Sequence, residues 1–310
     1  MDTTITAVRS FNRFYTGLIG ALDDQFLGFD VTLPEARLLF EIATSDPGSG
    51  PVTARAVQAG LGMDAGYVSR IVARFEERGW ITRARGADAR ARPIRLTQAG
   101  RAVFERLDER QRGAVAGLVG GLDALQRADL AEALARVRLL LQPETAQAFT
   151  IRPFRSGDMG LIAARQSMLY ARSHGWGRGL EVVEGETTTN FLRDFKPGRE
   201  QCWVAEIDGV MAGSVLLTDE GGGAGRLRLL YVEPFARRRG VGDTLVETCL
   251  GFAREAGYAR LTLWTHTVLE AARRIYARHG FQCVETATHT SFGEPVAGET
   301  WTLRLRGPEA

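Results

Sequence analysis

The sequence predicts two domains of different class. Residues 1–142 read as a mainly-α domain built on a winged helix-turn-helix, and residues 149–310 as an α/β (α+β) domain. Three observations predict this. A chain of 310 residues fits two domains of roughly 100–200 residues each. The first half repeats its apolar residues every three or four positions and holds one short hairpin. The second half alternates strand-like and helix-like segments, and Gln142–Ala148, with a proline and no apolar period, separates the two.

In the first half, Ile5, Val8, Phe11, Tyr15, Leu18, Leu22 and Phe26 predict one long amphipathic helix. Thr32 is the expected N-cap of the next, with Glu35 closing a capping box and Ala36–Ala43 as its body. Ser45–Pro51 is a loop by composition. Thr53 caps a short helix, Ala54–Ala59, and Gly60-Leu61-Gly62 turns into a second one, Met63–Arg78. Two helices joined by a glycine turn make a helix-turn-helix. Gly79 ends it. Trp80–Arg83 and Pro93–Thr97 form the hairpin wing, with Arg85, Arg90 and Arg92 between them. A helix opening at Leu96–Gly100 and a last one through Leu122, Leu130, Val137 and Leu141 complete the half.

In the second half, a strand is expected at Phe149–Phe154 and helices at Asp158–Ser173 and Glu186–Phe195. Cys202–Ile207 and Met211–Thr218 pair about an Asp208-Gly209 turn. Then follow a strand (Leu227–Val232), a helix (Gly242–Ala256), a strand (Leu261–Thr265), a helix (Glu270–His279) and two closing strands (Cys283–Thr290, Glu299–Leu305).

Composition narrows the function classes. A hydrophobic fraction of 45% and a charged fraction of 25% are those of a globular chain. No apolar run approaches the roughly 18 residues a membrane helix needs, and Met1–Ser10 lacks a signal pattern, so a cytoplasmic location is expected. Cys202, Cys249 and Cys283 are too few and too widely spaced for a disulfide framework or a zinc site, and His174, His266, His279 and His289 form no metal-binding pair. No structural metal is expected. The net charge is +2, and Lys196 is the only lysine. Positive charge concentrates in Asp64–Arg101, where nine arginines face four acidic residues. Such a patch is the footprint of nucleic-acid binding.

A recognition helix carries short polar and basic side chains into the major groove. Tyr67, Ser69, Arg70 and Arg74 hold those positions. Arg70 suits a guanine edge, and Arg90 and Arg92 of the wing suit the minor groove. The segment Tyr67-Val68-Ser69-Arg70-Ile71-Val72 with Glu76 and Gly79, then Asp88, Arg90, Leu96-Thr97 and Gly100, resembles the MarR family of winged-helix repressors over about residues 5–141. The resemblance implies binding to a double-stranded, palindromic operator. It implies a homodimer through helices near 5–27 and 101–141, and an Asp88–Arg90 pair that shapes the wing.

In the second half, Leu229–Gly242 places an arginine- and glycine-rich turn between a strand ending at Val232 and a helix. Gly240 and Gly242 leave backbone amides open, the helix N-terminus adds its positive dipole end, and Arg237, Arg238 and Arg239 add charge; together they suit a pyrophosphate. Arg237, Gly240 and Gly242 match the (Q/R)-x-x-G-x-(G/A) motif of the GNAT N-acetyltransferases, and Ala272–Phe281 resembles their A-x-x-(L/I)-Y-x-x-x-G-F motif. The resemblance covers about residues 149–306. It implies a GNAT fold, acetyl-CoA as acetyl donor, and an amine as acceptor. It implies that backbone near Leu230 and Val232 binds the pantetheine and polarises the thioester, with Val241 in the same cofactor loop. Tyr276 would contact the cofactor and protonate the leaving thiolate as general acid.

Two departures bear on mechanism. Leu269 stands where many members have asparagine. No carboxylate lies at Arg226–Arg228, where some members carry a catalytic glutamate, which leaves Glu206, Asp219, Glu233 and His266 as base candidates. His174-Gly175-Trp176-Gly177 falls where the family builds its acceptor wall. The reading is a bifunctional DNA-binding regulator and amine acetyltransferase. One alternative is a regulator whose second domain only senses CoA or another ligand. Another is an acetyltransferase whose helix-turn-helix only dimerises it.

Overall fold

The structure is a computed structural model that describes residues 2–19, 25–45, 52–84, 92–142 and 148–305. It divides into two compact units, Met1–Asp123 and Ala124–Ala310.

The first unit contains α1 (Asp2–Leu18), α2 (Leu33–Thr44), α3 (Ala54–Leu61), α4 (Ala65–Glu77), β1 (Ile81–Arg83), β2 (Ile94–Leu96) and α5 (Gln98–Val119). Side chains set the helix starts. Thr32 and Glu35 form the expected capping box, Thr53 accepts from Ala56 N, and Asp64 accepts from Tyr67 N. Gly62, at φ 61°, makes the turn between α3 and α4. Leu38, Leu39, Val68, Val72 and Phe75 form the core between them. Thr97 caps α5 through Gly100 N and also donates to Gly79 O. Gly100 is there for space, because a Cβ would stand 1.9 Å from the Trp80 carbonyl oxygen. The Leu-Thr-x-x-Gly pattern thus seats the helix on the wing.

One expectation fails here. The first helix does not run to Phe26: it ends at Leu18. Phe26 opens a separate 3₁₀ turn in which Leu27 is left-handed, and Phe26 N bonds to Val31 O.

The second unit contains α6 (Ala124–Leu141), β3 (Thr150–Pro153), α7 (Asp158–His174), α8 (Arg178–Arg193), β4 (Gln201–Ile207), β5 (Val210–Gly221) and β6 (Ala224–Val232). It continues with α9 (Val241–Glu255), β7 (Arg260–His266), α10 (Glu270–Arg278), β8 (Gln282–His289) and β9 (Val296–Arg304). The sheet order is β3-β4-β5-β6-β7-β9-β8, and every pairing is antiparallel except β6 with β7. Both faces are covered, and the period of two shows it. Cys202 and Val204 of β4 pack with Met159, Ile162 and Phe191 of α7 and α8. The alternate residues Trp203, Ala205 and Ile207 pack in the cluster that holds Leu245, Val246 and Cys249 of α9.

The division falls nearer the N-terminus than the expected boundary at 142. Leu139 of α6 is buried in the sheet core, and Arg138 pairs with Asp208 at 2.6 Å. Helix α8 begins eight residues before the expected Glu186. Cys283 is exposed, whereas Cys202 and Cys249 are buried. No helix of the described residues is long and apolar enough to cross a membrane.

Candidate functional site

Strand β6 positions the site by breaking two rules of a regular sheet. It pairs with β7 only from Ala224 to Leu227. From Arg228 to Val232 it continues along β5 alone, so its edge towards β7 is open. It also carries a bulge. Leu216 faces Arg228 and Ser214 faces Tyr231, so β6 has one extra residue. Leu229 takes φ 48° and Ser214 Oγ donates to its carbonyl at 3.0 Å. A non-glycine residue held left-handed stores strain that the surrounding structure must hold in place.

After β6, Pro234–Ala236 forms a single 3₁₀ turn, Arg238 is left-handed, and Gly240 (φ 84°) leads into α9 with no side-chain cap. The first amides of α9 therefore face outward without a protein acceptor from the cap residue. A Cβ on Gly242 would stand 2.8 Å from Ile275 Cδ1, so glycine keeps this passage open. A groove of about 1060 Å³ runs past this turn. Of the expected cofactor residues, Leu230, Val232, Arg237, Arg238, Gly240, Val241 and Gly242 line it. Arg239 is half-buried and is not among the lining residues. Arg274 and Arg278 of α10 also line it and were missed. Their four-residue spacing, which places them on one helix face, was the available signal.

A smaller cavity of about 110 Å³ adjoins the groove, and Tyr170, Leu230, Leu269 and Ala272 line both. Tyr276 lines only the smaller one. It is buried between Phe281 and Trp301, and burial raises its phenol above the usual range, with Tyr170 and Cys249 adding to the rise. Its hydroxyl stays protonated at every physiological pH.

The four base candidates separate cleanly. Glu206 binds Arg152 at 2.7 Å, Glu233 holds Arg165 through two hydrogen bonds of 2.6 and 2.9 Å, and Asp219 pairs with Lys196 and Arg199 at 3.3 Å each. None of these three lines either cavity. His266 does, but its Nε2 lies 2.9 Å from His289 Nε2, and burial followed by the two neighbouring histidines lowers it to about 4. It is neutral at pH 7. Trp176 is buried in the same cavity, its ring 4.6 Å from His266 and 5.2 Å from Phe292. Leu269 sits at the N-cap position of α10 and makes no side-chain cap.

The carboxylate that does line the cavity is Glu184. It is 1% exposed and accepts a hydrogen bond from Ser167. Its Oε1 has no partner among the described residues. Burial raises it to about 7, the Ser167 bond opposing and Glu181 adding to the rise. Sequence reasoning missed it. The signal was its place on the buried stripe Leu180, Glu184, Thr188, Phe191, which is helical spacing.

In the first unit, Ser69 and Arg70 are exposed on α4 and Tyr67 is half-buried, with the Arg70 guanidinium 5.7 Å from its ring. Arg74 is differently placed from expectation: it binds the buried Glu35 at 2.7 Å, so it ties α4 to α2. Arg92 is exposed beside β2. Arg90, and with it the Asp88–Arg90 pair, lies outside the described residues.

Comparison with known proteins gives the class of each half. The MarR family model matches residues 29–91 and the acetyltransferase (GNAT) family model residues 169–281. The chain therefore joins a MarR-family domain to a GNAT-family domain. Among curated proteins it is 36% identical over 93 residues to mycothiol acetyltransferase of Mycolicibacterium vanbaalenii, covering 30% of each chain. It is 30% identical over 113 residues to human N-acetyltransferase 8, covering 34% of this chain and 50% of that protein. The chain thus spans half or less of these two relatives. Among solved structures, that of yncA from Salmonella typhimurium with its cofactor acetyl-CoA aligns at 18% identity and a TM-score of 0.43. That alignment covers 53% of this chain and 98% of that one.

Proposed function

We propose that the protein is a cytoplasmic, homodimeric DNA-binding regulator whose second domain transfers an acetyl group from acetyl-CoA to an amine. The observation that carries the transferase reading is the opening of β6 from β7 on the same groove as the uncapped N-terminus of α9. An extended pantetheine can pair with the open edge of β6 near Leu230 and Val232. A pyrophosphate can sit against the amides after Gly240, with Arg237 and Arg238 beside it. When bound, acetyl-CoA supplies the activated acetyl group. The chain supplies position: the open edge near Leu230 and Val232 aligns the thioester and polarises its carbonyl. The C–N bond forms as the C–S bond breaks. Tyr276 donates its phenolic proton to the departing sulfur and regains one from the nitrogen. Raised by burial, it does not lose that proton beforehand.

For the first domain, Tyr67, Ser69 and Arg70 of α4 would meet a major groove and Arg90 and Arg92 an adjacent minor groove. The exposed apolar stripe of α1, Ile5, Val8, Phe11, Tyr15 and Leu18, supports association with a second copy. Leu269 favours the alternative, in which the second domain only senses CoA; turnover decides between them.

The test is calorimetry with acetyl-CoA, beside Gly240→Glu. That substitution meets no atom within 4 Å but carries a left-handed φ and puts a negative charge at the anion site. Micromolar binding lost in the variant supports the reading; no binding by the parent chain rejects it. DNA binding is tested by its salt dependence, with a slope of about −0.9 per phosphate contact expected.

A further inference from the structure

We propose that the smaller cavity is an acceptor site for a small zwitterionic amine of the amino-acid type, its ammonium held by Glu184 and its anionic group by Arg226 and Arg228. This rests on the acetyltransferase reading above.

Three features of the cavity wall carry the assignment. The first is the unpartnered Oε1 of Glu184, on a side chain that is 1% exposed. A buried acceptor without a donor is costly, so such an atom marks a place where a donor arrives from outside. An ammonium group brings three. The second is Arg226 and Arg228, two residues apart on β6 and so on one face of the strand. Both turn to a single carboxylate, Glu220, at 3.9 and 3.1 Å. Among the described residues, two guanidinium groups thus share one acid, and one positive charge remains for an anion. The third is the apolar wall of Trp176 and Phe292, which fits a short apolar side chain. A plain amine would leave the arginines without an anion, and a polypeptide N-terminus would bring no carboxylate there.

Glu184 then has a chemical task. An acceptor arrives as an ammonium and must lose a proton to attack. That proton passes to Glu184 and on to solvent; the second nitrogen proton replaces the one Tyr276 gives to the thiolate. Burial raises the Glu184 carboxyl to about 7, where a base works at neutral pH. Of the groups that face it, Ser167 opposes this rise and Glu181 adds to it. Ser167 and Tyr170 stand on α7, Glu181 on its own helix, His266 on β7, and Arg226 and Arg228 on β6. Tyr170 is pushed up to about 12 and His266 down to about 4.

The experiment has two arms. Calorimetry first measures acetyl-CoA binding to the full chain and to each variant. The non-thiol proteinogenic amino acids, their methyl esters and their decarboxylated amines are then each offered with acetyl-CoA, and free thiol is followed. At least one amino acid is expected to exceed its ester and its amine by about 10- to 100-fold in kcat/KM. Arg226→Met with Arg228→Met removes that preference through KM, and the double lysine variant restores part of it. Glu184→Gln lowers kcat at least about tenfold and abolishes the acidic limb of the pH–kcat profile, with acetyl-CoA affinity unchanged. Donor binding without any preference for the zwitterion, or an unaltered pH–kcat profile in Glu184→Gln, overturns this proposal and leaves the acetyltransferase reading standing. Absence of donor binding overturns both.

Discussion

Replacing Glu184 by glutamine removes a titration that the fold makes expensive, and the effect can be sized. The carboxyl has an ordinary value of 4.5 and stands at about 7 in the folded chain. Between those values the native state binds a proton that the unfolded state has lost, so stability falls as pH rises through the window. Each unit is worth about 1.36 kcal/mol. From pH 5 to pH 8.5 the folded protein therefore loses about 2–3 kcal/mol through this one group. The glutamine variant keeps the shape and carries no titratable group. His266 and Tyr170, which also line the cavity, change charge outside the window in the folded chain. The measured quantity is the difference in unfolding midpoint between variant and parent at the two pH values. For a unit of this size it should move by about 5–10 °C in favour of the variant at pH 8.5. Tryptophan fluorescence suits the assay, because Trp176, Trp203, Trp264 and Trp301 belong to the second unit and only Trp80 to the first. A difference that is the same at both pH values would refute the claim that Glu184 is held in a desolvating site.

Tyr276→Phe should lower kcat about 100-fold or more while leaving acetyl-CoA affinity within a few-fold, as read by stopped assays and calorimetry, because the hydroxyl acts on the leaving group. Gly100→Ala should destabilise the first unit by about 1–3 kcal/mol or more in chemical denaturation, since its Cβ would meet the Trp80 carbonyl at 1.9 Å. Arg70→Ala should weaken operator binding and relax base preference at one position by about 1–3 kcal/mol, seen in competition binding. Arg74→Ala should instead lower stability, because Arg74 is committed to the buried Glu35; a purely DNA-binding defect would contradict that assignment.

Elements whose ends are written in local chemistry were legible. Thr32 and Thr53 cap the helices expected of them, and Asp208-Gly209 makes the expected turn with two left-handed residues. What tertiary contact decides was not legible. The apolar pattern of the first helix runs on to Phe26, but a pattern records only which faces are buried, and Phe26 is buried by a turn instead. The pattern of α6 is likewise silent about its partner. Leu139 reads as one more apolar residue of the first half, yet its socket is the sheet of the second.

Helix α8 explains why part of the site was hidden. Its first half carries Gly179 and Gly185 and the β-branched pair Val182-Val183, and no side chain caps its start, so local propensity argues against helix. The glycine answers to a distant segment: a Cβ at 179 would stand 2.0 Å from the Ser291 carbonyl oxygen. With the helix start misplaced to Glu186, Glu184 fell in a loop, where an acidic residue needs no explanation. On the helix it lies between Leu180 and Thr188 on the buried stripe, where it needs one. The proposed phosphate site is legible in the glycine and arginine turn because its chemistry is contained in consecutive residues. The proposed acceptor site draws on α7, α8 and β6, and only burial brings its residues together. The same burial that lowers stability at high pH gives Glu184 a proton affinity near neutrality. A local rule broken at a measurable cost is where a functional residue is to be sought.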